Sequence, residues 1–417
     1  MHNLPGITLR PAIASDLDNI VHLDRLAFAP TQSDATVARD WYGEGLDRPG
    51  RQLWLAVDAT AVGVACYSAL NLEINFLGKI FPAVGIAGVA VAPQRRGQHL
   101  ARLMIEHSLI TARSQQLPLA MLYPFQHGFY RRLGWAWVNQ TYQYRVSTRH
   151  LPLYTERSGI IPYHPQHELA IQATYQQAAS QQNGWLQRAA WQWREYLKLE
   201  GEECYLYQAD GQIWGYVFYK FTYLDGLPKL LTVKITEWVA LTNAAYRGIL
   251  GFLASLRDQV ATVIWNTDAA DPLPYLLQEP SADARLAATS FDFGLVHRLG
   301  AIGSGFMWRL VDLEAALQLR PISAGSPFTL TFAVSDDILG DRTLTIKFAD
   351  GRMQLRDQPA ESVVKLSITH LTALFAGSRT ATELARLGEI EFTGAPLALT
   401  ALDQAWQAAA PFCWDFF

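Results

Sequence analysis

The residues best suited to chemistry form a short basic turn, residues 94–99, between an apolar run and an amphipathic stretch. The apolar run, residues 85–91, has the hydrophobicity of a buried strand, and beyond Pro93 the apolar residues recur at helical spacing. Backbone N–H groups at such a strand-to-helix turn favour an anion, and Gly97 lets the main chain approach it closely. Three side chains add positive charge: Arg95, Arg96 and Arg102. The pattern predicts a seat for a pyrophosphate or another phosphate group, and a solvated connecting loop is the alternative.

A second candidate is Tyr130, which lies in a segment that reads Phe-Tyr-Arg-Arg-Leu-Gly-Trp over residues 129–135. The segment predicts a short helix that ends at Gly134, because glycine is typical of the position after a helix C-terminus. A phenol has a pKa near ~10, a fair match for protonating a departing thiolate. Tyr130 is therefore a candidate general acid, and a packed core tyrosine is the alternative.

These candidates must be positioned by the first 150 residues, where the periodicity alternates between strand and helix. The predicted strands are residues 7–11, 53–57, 62–70, 80–91, 117–123 and 135–146. The predicted helices are residues 14–29, a helix that follows the basic turn and runs to about residue 114, and a short helix that ends at residue 134. The order β-α-β-β-β-α-β-α-β places the basic turn in the middle of a mixed sheet.

Two segments resemble those of a known superfamily. With Pro93 setting the register, the hexapeptide Arg-Gly-Gln-His-Leu-Ala that begins at Arg96 resembles the acyl-CoA-binding motif Arg/Gln-x-x-Gly-x-Gly/Ala of the GNAT N-acetyltransferases. In this register His99 takes the place of the first motif glycine. Residues 129–135 resemble the aromatic-Tyr-x-x-Leu-Gly-aromatic segment of the same superfamily. The resemblance implies a mixed central sheet flanked by helices, with acetyl-CoA as co-substrate.

The remaining chain extends the resemblance. Strands alternate over residues 204–240, and the run Tyr-Arg-Gly-Ile-Leu-Gly over residues 246–251 faintly repeats the basic turn, which predicts a degenerate second copy. Short strands and helices follow, and they resemble the sterol-carrier-protein-like domain that follows two GNAT folds in the enhanced intracellular survival (Eis) family. The predicted class is α/β and α+β: a catalytic GNAT domain at 1–150, a degenerate GNAT-like domain at 151–300, and a sterol-carrier-protein-like domain at 301–417 whose tail reaches the active site.

The resemblance implies roles for particular residues. Backbone N–H groups at the end of the central strand would hold the thioester carbonyl and the pantetheine amides, and the turn would bind the pyrophosphate. The predicted acetyl-CoA-binding residues are Val89, Ala90, Val91, Arg96, Gly97, Gln98, His99, Leu100, Ala101 and Arg102. Tyr130 would be the acid that protonates the thiolate.

The C-terminal residues 411–417 are too apolar for a frayed tail, because leaving four aromatic side chains in water forfeits about 1.5 to 3 kcal/mol each. We therefore expect the tail to dock. In the Eis family the C-terminal carboxylate acts as general base, which implies this role for the α-carboxylate of Phe417. A tail that only packs the last domain is the alternative, and Asp415 could instead attract a cationic substrate.

Composition argues against several other classes of function. The net charge of −4 gives no general attraction for nucleic acid. The three cysteines are too far apart for a disulfide framework or a CxxC metal site, and they favour a reducing cytoplasm. The run His-Pro-Gln-His-Glu at residues 164–168 lacks a further ligand cluster, so we expect no metal. The sequence shows neither an export-signal pattern nor an apolar run of membrane-spanning length, so we expect no membrane partner.

The leading hypothesis is an acetyl-CoA-dependent acyltransferase that transfers acetyl to a primary amine by direct attack in a ternary complex. The family resemblance implies an aminoglycoside, a polyamine or a protein lysine as the acceptor, and a homo-oligomer as the assembly. The alternative is a non-catalytic carrier or regulator that binds CoA or lipid through its C-terminal domain. His99 in place of a glycine favours this alternative, and the intact segment around Tyr130 counts against it.

Overall fold

The computed structural model describes residues 4–43, 45–46, 48–224, 227–280 and 298–417. These residues form two compact units, which we describe separately. The first unit comprises Met1–Asn139, Gly305–Pro411 and Phe416–Phe417, and the second comprises Gln140–Ser304 and Phe412–Asp415. In the described parts of the chain, no helix is long and apolar enough to cross a membrane.

The first unit contains a seven-stranded mixed sheet. Its strands are β1 (Thr8–Pro11), β2 (Arg51–Val57), β3 (Gly63–Phe76), β4 (Lys79–Val91), β5 (Leu119–Leu122), β6 (Ala136–Trp137) and β14 (Met307–Leu310), in the order β1-β2-β3-β4-β5-β14-β6. The helices are α1 (Leu17–Phe28), α2 (Asp34–Tyr42), α3 (Leu100–Ser114) and α4 (His127–Arg131). Side chains alternate along each strand, so α1 and α2 share one core with one face of the sheet, and α3 shares another core with the opposite face.

A five-stranded sheet completes the first unit. Its strands are β15 (Phe328–Ser335), β16 (Arg342–Ala349), β17 (Arg352–Arg356), β18 (Val363–Ser367) and β19 (Glu391–Thr393), in the order β17-β16-β15-β18-β19. The accompanying helices are α9 (Leu313–Leu319), α10 (Ile368–Phe375), α11 (Ala381–Arg386) and α12 (Leu397–Ala405). This combination confirms the predicted α+β character of the last part of the chain.

The second unit repeats the architecture of the first sheet. Its strands are β7 (Gln140–Ser147), β8 (Ile160–Pro162), β9 (Glu203–Ala209), β10 (Gln212–Leu224), β11 (Leu227–Ala240), β12 (Thr262–Thr267) and β13 (Gly300–Ser304), in the order β13-β7-β12-β11-β10-β9-β8. Its helices are α5 (Glu168–Ala179), α6 (Ala190–Tyr196), α7 (Asn243–Ser255) and α8 (Leu273–Leu276). As in the first sheet, a long antiparallel hairpin, β10–β11, is followed by a helix and a parallel strand, β12.

Two strands differ from the sequence-based prediction. The single strand predicted for residues 135–146 is two strands, and the second of them, β7, pairs with β12 and β13. The strand predicted near residue 306 exists as β14, but it lies between β5 and β6 in the first sheet. The side chains of β14 explain its position, because all four are buried and its Arg309 pairs with the buried Asp336 at 2.6 Å. A strand buried in this way needs partners on both edges.

Candidate active site

The strands β4 and β5 separate partway along their length. They pair in parallel from Ala83 and Leu119 to Ile86 and Leu122, and within the described chain β4 continues to Val91 without a strand on that side. The backbone of residues 87–91 is therefore available to a ligand along the β5 side. This is the region where the sequence predicts binding of the thioester and pantetheine through Val89, Ala90 and Val91.

A β-bulge interrupts β4 at the same place. The pairing with β3 shifts register between Cys66 and Ser68, which leaves Gly88 and Val89 opposite Tyr67. Gly88 has a φ of +56°, a left-handed conformation that a residue with a Cβ adopts with strain. A bulge of this kind bends the strand and redirects its amide groups, and such bulges are frequent next to active sites.

The basic turn begins with a short 3₁₀ helix, Pro93–Arg95, and ends at His99, the N-cap of α3. Gly97 has a φ of +81° and His99 a φ of +61°, and the His99 side chain makes no capping hydrogen bond to the helix. The left-handed residues Gly97 and His99 have the spacing of the Gly-x-Gly/Ala part of the predicted motif. The backbone thus favours the register Gln94-x-x-Gly97-x-His99, in which His99 replaces the second motif residue and not the first.

The arginines of the turn have different partners. Arg95 donates a hydrogen bond to Asp58 at 2.8 Å. The pKa of Asp58 is lowered to about 2, mainly because Asp58 accepts hydrogen bonds from Thr60. Arg102 donates to the buried Glu106 at 2.6 Å, one helical turn further along α3. Arg96 is exposed. Arg95 is therefore a weaker candidate for binding phosphate than the sequence suggested, because its guanidinium is bound to Asp58 in the turn between β2 and β3.

Tyr130 lies in α4 and is almost fully buried. Its ring packs edge-on against Phe125, Phe129 and Trp135, with centroid distances of 5.9, 5.0 and 6.3 Å. Burial raises the pKa of Tyr130 to about 12, so its phenol stays protonated across the neutral range.

The C-terminal residue packs on the first sheet close to the point where β4 and β5 separate. The ring of Phe417 lies 5.6 Å from that of Tyr123, which directly follows β5. Gly85 on β4 makes room for it, since a Cβ there would lie 3.1 Å from Phe417 Cε2. Phe416 also packs on Tyr123, at 4.9 Å, but most of its side chain is exposed.

Asp415 does not have the role that the sequence suggested. Within the second unit it is 1% exposed and accepts hydrogen bonds from Arg188 at 2.7 Å, from Tyr175 at 3.0 Å and from Tyr196 at 3.1 Å. The expectation that it attracts a cationic substrate is therefore wrong, because its carboxylate is buried and already pairs with Arg188.

The structure adds one acidic residue that sequence reasoning missed. Asp24 on α1 is 4% exposed, and its carboxylate lies beside Gly88. The sequence could have indicated its burial, because Asp24 follows Ile20 by four residues and therefore lies on the buried face of α1. Among the described residues, no group of His, Cys, Asp and Glu is arranged to hold a metal ion.

The faint repeat at residues 246–251 lies inside α7 and not in a turn. The N-terminus of α7 is capped by Thr242, whose side chain accepts from the Ala245 N–H at 3.1 Å. Gly248 is helical and packs against Tyr207, where a Cβ would come within 2.4 Å of the ring. The glycine thus serves helix packing, which agrees with the prediction of a degenerate copy.

Three family models match the chain. An acetyltransferase (GNAT) domain matches residues 8–138, a second acetyltransferase (GNAT) domain matches residues 184–310, and a sterol carrier protein domain matches residues 313–414. These matches support the tandem architecture, and the two GNAT domains imply the use of acetyl-CoA.

Curated relatives and solved structures agree with this assignment. N-acetyltransferase Eis of Mycobacterium tuberculosis is 26% identical over 394 residues, which cover 90% of this chain and 87% of that protein. An uncharacterised N-acetyltransferase of Streptomyces griseus is 26% identical and covers 85% of this chain and 86% of its own. A GCN5-related N-acetyltransferase from Anabaena variabilis shares the fold with a TM-score of 0.83 at 22% identity, over 99% of this chain and 100% of that one. Eis1 from Mycobacterium abscessus does so with a TM-score of 0.78 at 19% identity, over 99% and 100%. The chain is an acyltransferase of the GNAT superfamily, with two GNAT domains and a sterol carrier protein domain, and a homologue of the Eis N-acetyltransferases.

Proposed function

We propose that the protein transfers the acetyl group of acetyl-CoA to a primary amine by direct attack in a ternary complex. The observation that carries the proposal is the opening between β4 and β5, which lies beside a turn with two left-handed residues and an uncapped helix N-terminus. Such a turn presents backbone N–H groups to a pyrophosphate, and the opening presents them to an acyl chain. The candidate acceptors are an aminoglycoside, a polyamine or a protein lysine.

In this proposal acetyl-CoA is held mainly by the backbone. Residues 89–91 bind the thioester carbonyl and the pantetheine, and residues 96–102 bind the pyrophosphate. The exposure of Arg96 and Gly97 supports the second part, because both are accessible to a phosphate. Arg102 keeps its Nε–H on Glu106, so it adds charge at the helix start while its position is fixed.

Tyr130 acts on the leaving group. Its phenol, which burial keeps protonated at neutral pH, donates a hydrogen bond to the departing sulfur and supplies a proton to it. The proton of the attacking amine goes to the α-carboxylate of Phe417. The support for this role is the packing of the terminal ring on Gly85 and Tyr123, which holds the chain end near the opening of the sheet.

The carrier alternative is opposed by the core of the third domain. One cavity in that core measures about 10 Å³, which is room for about one water molecule, and a second, lined partly by Leu374, Leu402 and Trp406, measures about 110 Å³. The walls of the smaller cavity include Phe332, Phe375 and Trp406. The buried Arg320 donates to the carbonyls of Phe375 and Trp406 at 2.9 and 2.8 Å, which fixes these two walls in place.

A cytoplasmic location and a homo-oligomeric state are further parts of the proposal. All three cysteines are buried and none forms a disulfide, as expected in a reducing compartment. The oligomer rests on the Eis resemblance, and light scattering of the purified protein tests it.

The function is tested by CoA release from acetyl-CoA with purified protein and a panel of amines that includes a kanamycin-type aminoglycoside, spermidine and a lysine peptide. We expect turnover with at least one of them. Binding of acetyl-CoA without turnover would contradict the proposed acceptors, and binding of fatty ligands alone would support the carrier.

The assignment of Tyr130 is tested with Tyr130→Phe. We expect kcat to fall by about 10²- to 10⁴-fold, because the acid is lost, while the Kd of acetyl-CoA stays within about twofold. Phe129→Leu is the matched control, since it also alters the aromatic cluster but leaves the phenol in place. A fully active Tyr130→Phe variant would remove the assignment. Deletion of Phe417 tests the carboxylate in the same assay, and unchanged turnover would contradict the proposed base.

A further inference from the structure

A buried carboxylate lies directly behind the bulge of β4. If Gly88 carried a Cβ, that atom would lie 3.6 Å from Asp24 Oδ2 and 3.7 Å from Asp24 Oδ1, and 3.8 Å from Ser68 Oγ. The carboxylate therefore lies on the side of Gly88 where a side chain would project, at the place where β4 adopts a left-handed conformation. Gly88 itself is partly exposed, so the bulge borders the opening of the sheet.

The surroundings of Asp24 hold an anion without fully neutralising it. The Tyr42 hydroxyl donates to Oδ2 and the Cys66 thiol donates to Oδ1 at 3.6 Å. The positive charge of Arg51 also favours the anion, but it is the smallest of the four effects on the Asp24 pKa. Burial is the dominant effect and raises the pKa of Asp24 to about 6.

Such a group is costly to the fold. A buried carboxylate that accepts only from a hydroxyl and a thiol destabilises the native state relative to a neutral side chain of the same shape. At neutral pH Asp24 is nevertheless ionised, and its negative charge faces the bulge. A cationic ligand at the bulge would supply the missing counter-charge.

We propose that Asp24 binds the ammonium form of the acceptor amine and draws it to the bulge of β4. The acceptor arrives as a cation, because aliphatic amines are protonated at neutral pH. It releases one proton to water to become the neutral nucleophile, and the second proton, lost as the C–N bond forms, goes to the Phe417 carboxylate. Asp24 is therefore an acceptor-binding residue, distinct from the Phe417 carboxylate that takes the proton. The inference rests on the proposed acetyl transfer at this bulge.

Asp24→Asn tests the inference, with Asp34→Asn as the matched control. Asp34 is a carboxylate on the neighbouring α2 that pairs with Arg25 and His22 at the surface. We expect Asp24→Asn to raise the KM of the amine about 10- to 100-fold, as the loss of a charged hydrogen bond does, while the Kd of acetyl-CoA is unchanged. Asp34→Asn leaves both constants within about twofold. An unchanged amine KM in a folded Asp24→Asn variant overturns the inference.

A second measurement keeps the carboxylate in place. Three ionisable groups face Asp24: Tyr42 from α2, Cys66 from β3 and Arg51 from β2. With an amine that stays protonated throughout, the wild-type KM should rise as the pH falls through about 6, where Asp24 gains a proton. Tyr42→Phe removes a hydrogen bond that favours the anion, so the rise should begin at a higher pH. A wild-type KM that is flat from neutral pH down to pH 5, or an unshifted profile in Tyr42→Phe, contradicts the inference.

The two proposals fail in different ways. If the wild-type protein binds no acetyl-CoA or turns over no amine, the proposed function is wrong. If it turns over an amine and the Asp24 variants keep the wild-type amine KM and its pH dependence, only the inference about Asp24 is wrong.

Discussion

The two GNAT copies have the same strand order around a bulged hairpin, but they treat a buried carboxylate at the bulge in opposite ways. In the first copy Asp24 lies behind the bulge of β4 with a hydroxyl and a thiol as donors. In the second copy the register of β10 and β11 shifts beside Glu237, which accepts from Tyr216 at 2.5 Å and pairs with Arg188. The second carboxylate pairs with a buried guanidinium that it shares with Asp415, whereas the first accepts from uncharged donors.

The helix that follows the bulged strand shows the same contrast. In the first copy α3 begins after a basic turn with left-handed residues, and the side chain of its N-cap residue, His99, makes no capping hydrogen bond. In the second copy Thr242 caps α7. The fold alone therefore does not make a CoA site. A few residues at the strand end decide whether the backbone N–H groups and the buried charge are satisfied internally or remain available.

The largest expected effect is on the paired carboxylate of the second copy. Arg188 is fully buried between Glu237 and Asp415, so Arg188→Met leaves two buried carboxylates without their cation. We expect the free energy of unfolding to fall by about 3 to 5 kcal/mol. Chemical denaturation measures the change. Lys198→Met removes an exposed pair with Glu195 and should cost less than about 1 kcal/mol. Equal losses of unfolding free energy in Arg188→Met and Lys198→Met would contradict the view that Arg188 stabilises two buried carboxylates.

The next largest effect concerns Asp24, whose replacement should raise the free energy of unfolding and not lower it. The pKa of Asp24 is about 6 in the folded protein and 3.8 in the unfolded chain. Between about pH 4 and 6 the folded protein therefore binds more protons, and the free energy of unfolding falls as the pH rises. Asp24→Asn removes this penalty and should stabilise the protein by about 1 to 3 kcal/mol at pH 7, but not at pH 4. Thermal unfolding at the two pH values measures it. Destabilisation at pH 7 would mean that Asp24 is an ordinary structural residue.

The smallest effect is expected on the Kd of acetyl-CoA, when the N-cap residues of α3 and α7 are replaced. His99→Gly places at the left-handed position the residue that adopts it without strain, so the backbone can approach the phosphate more closely. We expect the Kd of acetyl-CoA to fall by about two- to fivefold, as titration calorimetry would show, which corresponds to about 1 kcal/mol or less. Thr242→Ala should lower stability by about 1 kcal/mol and leave that Kd unchanged. A change in Kd with Thr242→Ala would show that the second copy also takes part in binding.

Local features of the molecule were predictable from the sequence. The strand before Pro93, the basic turn and the helix after it follow from hydrophobic periodicity and from glycine and proline chemistry, and the structure has them as β4, Pro93–Arg95 and α3. The short helix around Tyr130 followed from the terminating Gly134, which has a φ of +83°. These features depend on neighbours in sequence, which is the information that a periodic pattern contains.

Long-range features were not predictable. Nothing in residues 307–310 identifies β5 and β6 as partners, because a stretch of four residues fits the edge of many sheets. The role of Arg95 depends on Asp58, which lies on a distant turn. Asp24 is intermediate, since its place on the apolar face of α1 marks it as unusual, but only the folded chain shows Gly88 beside it.

The insertion of β14 into the first sheet has a consequence for how the chain is made. Leu122 pairs with Met307, so the edge of β5 stays open on the ribosome until residues 307–310 have been synthesised. Closing so long a loop is slow, and until then the exposed edge of a long apolar strand pair is prone to non-native pairing. The first GNAT domain therefore completes its sheet late, and a gene fragment that ends near residue 150 should yield aggregated polypeptide.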